Sequence, residues 1–71
     1  KFDIILANIN KNILMSQIPS YINVLNENGD LFLSGLMEQD FDDILAFCTE
    51  RELKFISKKQ RNEWIALHFK K

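Results

Sequence analysis

The feature that most constrains the fold is a short apolar run at the start of the chain, which ends abruptly in asparagine. The segment from Phe2 to Leu6 is apolar except at Asp3, and Asn8 and Asn10 follow it. A continuous apolar run of this length is typical of a strand that is buried on both faces of a parallel sheet. In open α/β sheets, ligands bind just beyond the carboxyl ends of the strands. The run therefore predicts a buried first strand with both asparagines at a candidate ligand site.

Amphipathic spacing predicts a helix after this strand. Leu14 and Ile18 begin an apolar stripe with helical periodicity. Pro19 removes a backbone donor from the middle of the pattern and disfavours helical angles at the residue before it. We therefore expect a short helical piece, a kink or break, and a second piece that begins at Pro19. Gly29, or Asn28 before it, is expected to supply the left-handed residue that ends the helix.

The rest of the chain predicts a strand, a helix and a hairpin. Leu31 to Gly35 is a second short apolar run, and Met37 to Glu50 has helical spacing. Two β-rich runs, Leu53 to Lys58 and Glu63 to Phe69, flank a short polar tip and predict an antiparallel hairpin whose second strand is interior. The order β-α-β-α-β-β predicts an α/β fold with a mostly parallel sheet, one antiparallel strand and both helices on one face.

Composition limits the class of protein. The chain has 71 residues, enough for one small domain, with 46% hydrophobic and 27% charged residues, as in globular proteins. A net charge of -1 gives no reason to expect a nucleic-acid or membrane surface. The only cysteine, Cys48, has no internal disulfide partner, which favours a reducing cytoplasm. The strand begins directly after Lys1, so we expect a piece of a longer protein.

The other distinctive side chains have structural interpretations. Trp64 is expected to anchor the core, His68 to be packed without a catalytic triad, and Cys48 to be a small core residue. An acidic cluster crowds the first half of the second helix and is interpreted as a solvated face near the positive end of the helix dipole, with no metal site: Glu38, Asp40, Asp42 and Asp43. Cations near the end of the chain are also interpreted as solvated, with an RNA-facing patch as the alternative: Lys58, Lys59, Arg61, Lys70 and Lys71.

Three segments carry a family resemblance: Asp3-Ile4-Ile5-Leu6-Ala7-Asn8-Ile9, Leu33-Ser34-Gly35 and Glu63-Trp64-Ile65-Ala66-Leu67. Their order and spacing resemble the C-terminal half of a class I S-adenosylmethionine-dependent methyltransferase, a Rossmann-like fold whose last strand is antiparallel and inserted between the fifth and sixth. Within that class the chain is similar to the ribosomal protein L11 methyltransferase family. Two positions depart from the family pattern. Asn26 to Gly29 replaces a Lys-Pro-Gly-Gly turn, and Glu63, or Asn62 one residue back, stands where the family has glycine before its tryptophan.

The resemblance implies specific site residues. Asn8, with Ala7 and Ile9, would line the S-adenosylmethionine pocket beside the reacting methyl group, and Asn10 would lie on the substrate side. The implied substrate is a lysine or N-terminal amine of a large-subunit ribosomal protein, and no catalytic residue is implied here. Residues 1–71 would form a single partial domain. The family's glycine-rich cofactor loop is absent from the 71 residues, so we expect this piece alone to be inactive.

Other interpretations remain open. Asn8 is also suited to capping the following helix or turning the chain after the strand, and either Asn10 or Asn12 is suited to the helix cap. A methyltransferase that acts on a nucleic-acid base or on glutamine is disfavoured, because such families place prolines and an aromatic residue after the asparagine, whereas Ile9 and Asn10 follow it here. A non-enzymatic interaction or dimerisation module is the third interpretation. Helices on one face would leave the other face and the first strand's edge bare, so we expect the isolated piece to self-associate.

Overall fold

A four-stranded mixed sheet carries two helices on one of its faces. The computed structural model describes all of residues 1–71. The elements follow in the order β1 (Phe2–Asn8), α1 (Lys11–Val24), β2 (Leu25–Met37), a 3₁₀ turn (Glu38–Asp40), α2 (Phe41–Glu50), β3 (Lys54–Arg61) and β4 (Trp64–Lys70). The predicted order β-α-β-α-β-β is therefore confirmed.

The order of strands across the sheet is β1-β2-β4-β3. Strand β1 pairs with β2 in parallel, and β4 is antiparallel to both β2 and β3. Three strands consequently point the same way, and the last strand in sequence is inserted between two of them. This arrangement confirms the mostly parallel sheet with one antiparallel strand, and it confirms that β4 is interior.

The core lies between the sheet and the two helices. Leu14 and Ile18 of α1 and Ile44 and Cys48 of α2 are buried against side chains of the sheet, among which Phe69 has no exposed surface. Burying an aliphatic or aromatic side chain of this size contributes about 1.5–3 kcal/mol. Burial also raises the pKa of the Cys48 thiol to about 12. Both helices thus cover one face, as predicted, and Cys48 is a core residue.

The opposite face of the sheet is bare. Phe2, Ile4 and Leu6 of β1 point to this face, and Leu6 is 76% exposed. Trp64 of β4 is 55% exposed. Since successive strand residues alternate between faces, every second residue falls where no helix lies. The prediction of a first strand buried on both faces is therefore wrong for this chain, and so is the prediction that Trp64 anchors the core.

Helix α1 differs from its prediction at two places. It continues through Pro19 without a break. Ile18, directly before the proline, is fully buried, and its packing offsets the loss of one backbone hydrogen bond. The helix ends at Val24, because the buried Leu25 already has an extended conformation and belongs to β2. Asn28 has a positive φ of 65°, but it lies inside β2 and does not end the helix.

The β3–β4 hairpin is longer than its sequence pattern predicts. Strand β3 continues to Arg61, and the turn consists of Asn62 and Glu63. Asn62 has a positive φ of 57°, which asparagine tolerates better than most residues. Lys59 and Arg61 are therefore strand residues, although the sequence pattern assigns them to the polar tip. Neither α-helix is long and apolar enough to span a membrane.

Candidate functional site

The carboxyl ends of β1 and β2 lie side by side at one edge of the sheet. The last pair of the parallel ladder joins Asn8 to Ser34, and the pair before it joins Ala7 to Leu33. Ala7 and Leu33 are buried on the helix side. Asn8 is exposed. The structure thus places the polar residue that ends β1 at the sheet edge where α/β proteins bind ligands.

Gly35 brings the β2 backbone against the side chain of Asn8. A Cβ built on Gly35 would overlap the Asn8 Oδ1 atom, and Gly35 has a φ of 77°. The residue lies in a β-bulge, since the register between β2 and β4 shifts between Leu33 and Leu36. Both the close approach and the positive φ require glycine here. The bulge therefore makes room for the Asn8 carboxamide.

Asn10 is the residue that caps α1. Its Oδ1 accepts a hydrogen bond from the Ile13 backbone N–H at 3.1 Å, and its backbone is extended. The capping interpretation is therefore confirmed for Asn10, and the Asn8 side chain does not cap α1. Ile9 lies between them and packs in part against the core. The substrate-side role of Asn10 stays a prediction.

Lys11 ties the first turn of α1 to the first turn of α2. Its Nζ donates a hydrogen bond to Asp43 Oδ2 at 2.6 Å and lies 3.9 Å from Asp40 Oδ1. The hydrogen bond to Asp43, together with the charge of both carboxylates, raises the pKa of Lys11. Two members of the acidic cluster thus face an ammonium group, which fits the interpretation of a charged surface.

A second charged cluster lies on the bare face. Asp30 Oδ1 accepts hydrogen bonds from His68 Nε2 at 2.8 Å and from Lys70 Nζ at 2.9 Å. The His68 ring stacks on Phe32 with 4.2 Å between centroids. The hydrogen bond from His68, followed by that from Lys70, lowers the pKa of Asp30. His68 is therefore packed, as predicted, but its hydrogen bond to Asp30 was not foreseen from sequence.

An open depression of about 270 Å³ lies between the Ser34–Gly35 segment of β2 and the β3–β4 hairpin. Its lining residues come from β2, β3 and β4: Ser34, Gly35, Lys59, Gln60, Arg61, Trp64, Ile65 and Ala66. Because Gly35 abuts Asn8, the depression opens beside the candidate site. Sequence reasoning missed this connection, since the hairpin residues are distant from Asn8 along the chain and meet it only through the strand order.

Known proteins resemble this chain along its whole length. A family model described as "Ribosomal protein L11 methyltransferase (PrmA)" matches residues 1–71. A ribosomal protein L11 methyltransferase from Phocaeicola vulgatus is 34% identical over 68 residues, which cover 96% of this chain and 24% of the relative. Its counterpart from Porphyromonas gingivalis is 42% identical over 69 residues, covering 96% of this chain and 23% of the relative. The chain thus spans about a quarter of the length of these curated relatives.

The fold matches as well. The crystal structure of a ribosomal protein L11 methylase from Lactobacillus delbrueckii subsp. bulgaricus superimposes with a TM-score of 0.92 at 33% sequence identity. The match covers 97% of this chain and 36% of that one. The Rossmann-like class I methyltransferase fold predicted from the sequence is therefore confirmed for this C-terminal part. These 71 residues belong to the ribosomal protein L11 methyltransferase family.

Proposed function

We propose that these 71 residues form the C-terminal part of the catalytic domain of an S-adenosylmethionine-dependent enzyme that methylates amino groups of a large-subunit ribosomal protein in the cytoplasm. Family membership supports the methyltransferase activity. The observation that carries the proposal is the exposed Asn8 carboxamide, which lies against Gly35 at the end of two parallel strands. Strand ends of this kind are where α/β enzymes bind cofactors and substrates.

The residues at this edge fit one wall of a cofactor site. Asn8 has an exposed side chain that does not cap α1, and Gly35 has no Cβ to fill the space beside it. Ala7 and Ile9 have side chains that face the core, so we propose that they contribute to this wall through their backbone on either side of Asn8. S-adenosylmethionine, when bound, supplies an electrophilic methyl group on a sulfonium centre. The chain's own contribution is to shape that wall and to position the amine.

We propose that Asn8 orients the attacking amine. The amine must be neutral and held about 3 Å from the methyl carbon with its lone pair aligned. The Asn8 Oδ1 atom is a hydrogen-bond acceptor and can hold an amine N–H in that direction. A carboxamide does not take up a proton near neutral pH, so Asn8 positions the amine and leaves its deprotonation to water or another group. Asn10, directly after this wall, lies on the side where the amine would enter.

The 71 residues by themselves are proposed to be inactive. They contain only two glycines, Gly29 and Gly35, and neither belongs to a glycine-rich cofactor loop. They supply one wall of the pocket, and the matched relatives are about four times as long. Weak contacts along one wall do not offset the loss of translational and rotational freedom when a small ligand binds.

Calorimetric titration of S-adenosylmethionine tests both parts of the proposal. We expect micromolar binding by the full gene product that contains these residues, and no measurable binding by the 71-residue chain. Micromolar binding by the 71 residues would refute the claim of inactivity. The activity itself is checked by incubating the full protein with purified ribosomal protein L11 and measuring mass increases of one methyl group. The absence of any methylation would contradict the proposed substrate.

A second candidate is an interaction module without enzymatic activity. The bare face formed by Phe2, Ile4 and Leu6 favours it, because exposed apolar patches often mark contact surfaces. This candidate predicts binding of a protein partner and no affinity for S-adenosylmethionine even in the full gene product. The titration above therefore distinguishes the two candidates directly.

A further inference from the structure

We propose that the β3–β4 hairpin docks an acidic stretch of the polypeptide whose amine is methylated. The contact surface consists of Lys59, Arg61 and Trp64 with the depression that they line, and is termed the hairpin surface below. This inference rests on the proposed function, because it names the chemistry of the substrate segment next to the reacting amine.

The strand register places the three side chains of the hairpin surface together. Arg61 is directly opposite Trp64 across the β3–β4 pair, and Lys59 is directly opposite Ala66. Directly opposed residues in a sheet share one face. The alternate residues of β4, including Ile65, are buried on the helix side. Lys59 and Arg61 therefore lie on the bare face of the sheet, with Arg61 directly opposite Trp64 and Lys59 diagonal to Trp64 on the same strand as Arg61.

The two cations of the hairpin surface are free of carboxylate partners. Lys11, Arg51 and Lys70 each lie within 4.0 Å of a carboxylate oxygen, whereas Lys59 and Arg61 have no such partner. The neighbouring Lys58 differs again, since its Nζ lies 4.5 Å from the centre of the Phe41 ring. Two adjacent unpaired cations, one of them a guanidinium that can bind a carboxylate in bidentate fashion, favour an anionic partner.

Trp64 gives the surface an apolar element. Its side chain is 55% exposed and lies directly opposite Arg61 across the strand pair. Exposed tryptophan and arginine side chains are those most enriched in the centres of protein–protein contacts. A polypeptide segment that combines acidic and apolar residues matches both features. Nucleic acid matches less well, because such binding depends on many phosphate contacts, and this chain carries a net charge of -1.

The depression links the hairpin surface to the candidate site. Its lining includes Arg61 and Trp64 of the hairpin as well as Gly35, which abuts Asn8. Three strand spacings separate β1 from β3, about 14 Å in all. Roughly four extended residues span such a distance. In the substrate polypeptide, we therefore place the acidic residues about four positions along the chain from the amine that is methylated beside Asn8.

The test uses the full gene product and direct binding of labelled probes. One probe is an eight-residue peptide with a free amino terminus and glutamates in its centre, the second has lysines in place of the glutamates, and the third is an octamer of uridine. Fluorescence anisotropy should show that the glutamate peptide binds at least tenfold more tightly than the lysine peptide or the uridine octamer. A tenfold ratio of dissociation constants corresponds to about 1.4 kcal/mol of binding free energy. The preference should weaken as salt is raised.

Variants localise the effect. K59E/R61E should abolish the preference for the glutamate peptide, and Lys59→Gln with Arg61→Gln should reduce it without reversing charge. K54E is the matched control, because Lys54 is an exposed cation at the other end of the same strand. It should bind within twofold of the wild type. With ribosomal protein L11 as substrate, K59E/R61E should raise KM tenfold while kcat and the affinity for S-adenosylmethionine stay unchanged.

Any one of three binding results would overturn the docking surface: equal binding of the probes, tightest binding of the uridine octamer, or the same loss in K54E as in K59E/R61E. Failure of the proposed function is a separate result, namely wild-type protein that transfers no methyl group. In that case the binding measurements with the labelled probes still test whether the hairpin surface docks an acidic peptide. Methyl transfer with an unchanged KM in K59E/R61E overturns the docking surface alone.

Discussion

Gly35 lies so close to Asn8 that a Cβ on the glycine would overlap the Oδ1 atom of the asparagine. The two residues end neighbouring parallel strands, and the ladder between those strands stops at Asn8 and Ser34. Gly35 also has a φ of 77°, a conformation that side chains other than that of glycine rarely adopt. The backbone of β2 therefore defines one side of the space in which the Asn8 carboxamide lies.

Replacing Gly35 should impair the site more than the fold. In Gly35→Ala the new methyl group displaces the Asn8 side chain, and the positive φ costs about 1–2 kcal/mol of unfolding free energy. We expect the full protein to lose at least tenfold in affinity for S-adenosylmethionine, measured by calorimetry.

Gly29→Ala is the control for this prediction. A Cβ there would lie 2.6 Å from Leu25 Cδ1 and 2.7 Å from the Asn26 carbonyl oxygen, at the far end of β2 from Asn8. It should lower stability and leave the cofactor affinity of the folded protein unchanged. Equal losses of affinity in both variants would mean that the Gly35 effect is not local.

Asn10→Ala should act on stability through the helix cap. The Ile13 N–H loses its acceptor, and loss of such a cap costs about 0.5–2 kcal/mol. Urea denaturation of the full protein measures the change. Asn12→Ala, at an exposed position inside the helix, should shift the midpoint little or raise it slightly. Similar midpoints for the two variants would argue against the cap.

Asp30 should give the fold a component of stability that depends on pH. Hydrogen bonds from His68 and Lys70 lower its pKa from the usual 3.8, so the folded state favours the carboxylate. The resulting stabilisation is complete above the usual pKa and is lost as the pH falls through the lower pKa of the folded state. Asp30→Asn should therefore melt at a lower temperature than the wild type at pH 7, and the gap should close in strong acid. A gap that widens on acidification would contradict this assignment.

The isolated 71-residue chain should self-associate through its bare face. Leu6 is 76% exposed on β1, an edge strand with unpaired backbone groups. Light scattering should detect dimers or larger species at micromolar concentration. Leu6→Lys should reduce association, whereas Asn12→Lys, which adds the same charge on α1, should not. A monodisperse monomer with a well-dispersed NMR spectrum would contradict the prediction.

Periodicity was sufficient to predict the order of the strands and helices and the interior position of β4. Apolar alternation in β4 places Ile65 and Phe69 on one face and Trp64 on the other, as the structure confirms. The predicted break at Pro19 failed because local rules do not include the packing of Ile18, whose burial holds the helix together. The predicted burial of β1 on both faces failed because alternation does not reveal which elements are present to cover a face.

The candidate site was predicted only in part. Asn8 was identified from its place at the end of an apolar run, and its proposed role came from family resemblance. Its contact with Gly35 depends on a bulge in β2, and the position of a bulge is set by pairing with another strand. The link to Arg61 and Trp64 depends on strand order in the same way. Long-range pairing of this kind leaves no signal in the local sequence.

The most direct measurement compares methyl transfer by the full protein and its Asn8→Ala variant. Mass spectrometry follows the methylation of purified ribosomal protein L11 at saturating S-adenosylmethionine. Because Asn8 is exposed and does not cap a helix, stability should be unchanged. Loss of the group that orients the amine should lower kcat about 100-fold. Asn10→Ala, compared at a temperature where it stays folded, should lower kcat less. An Asn8→Ala variant that keeps the wild-type kcat would contradict the role assigned to this strand end.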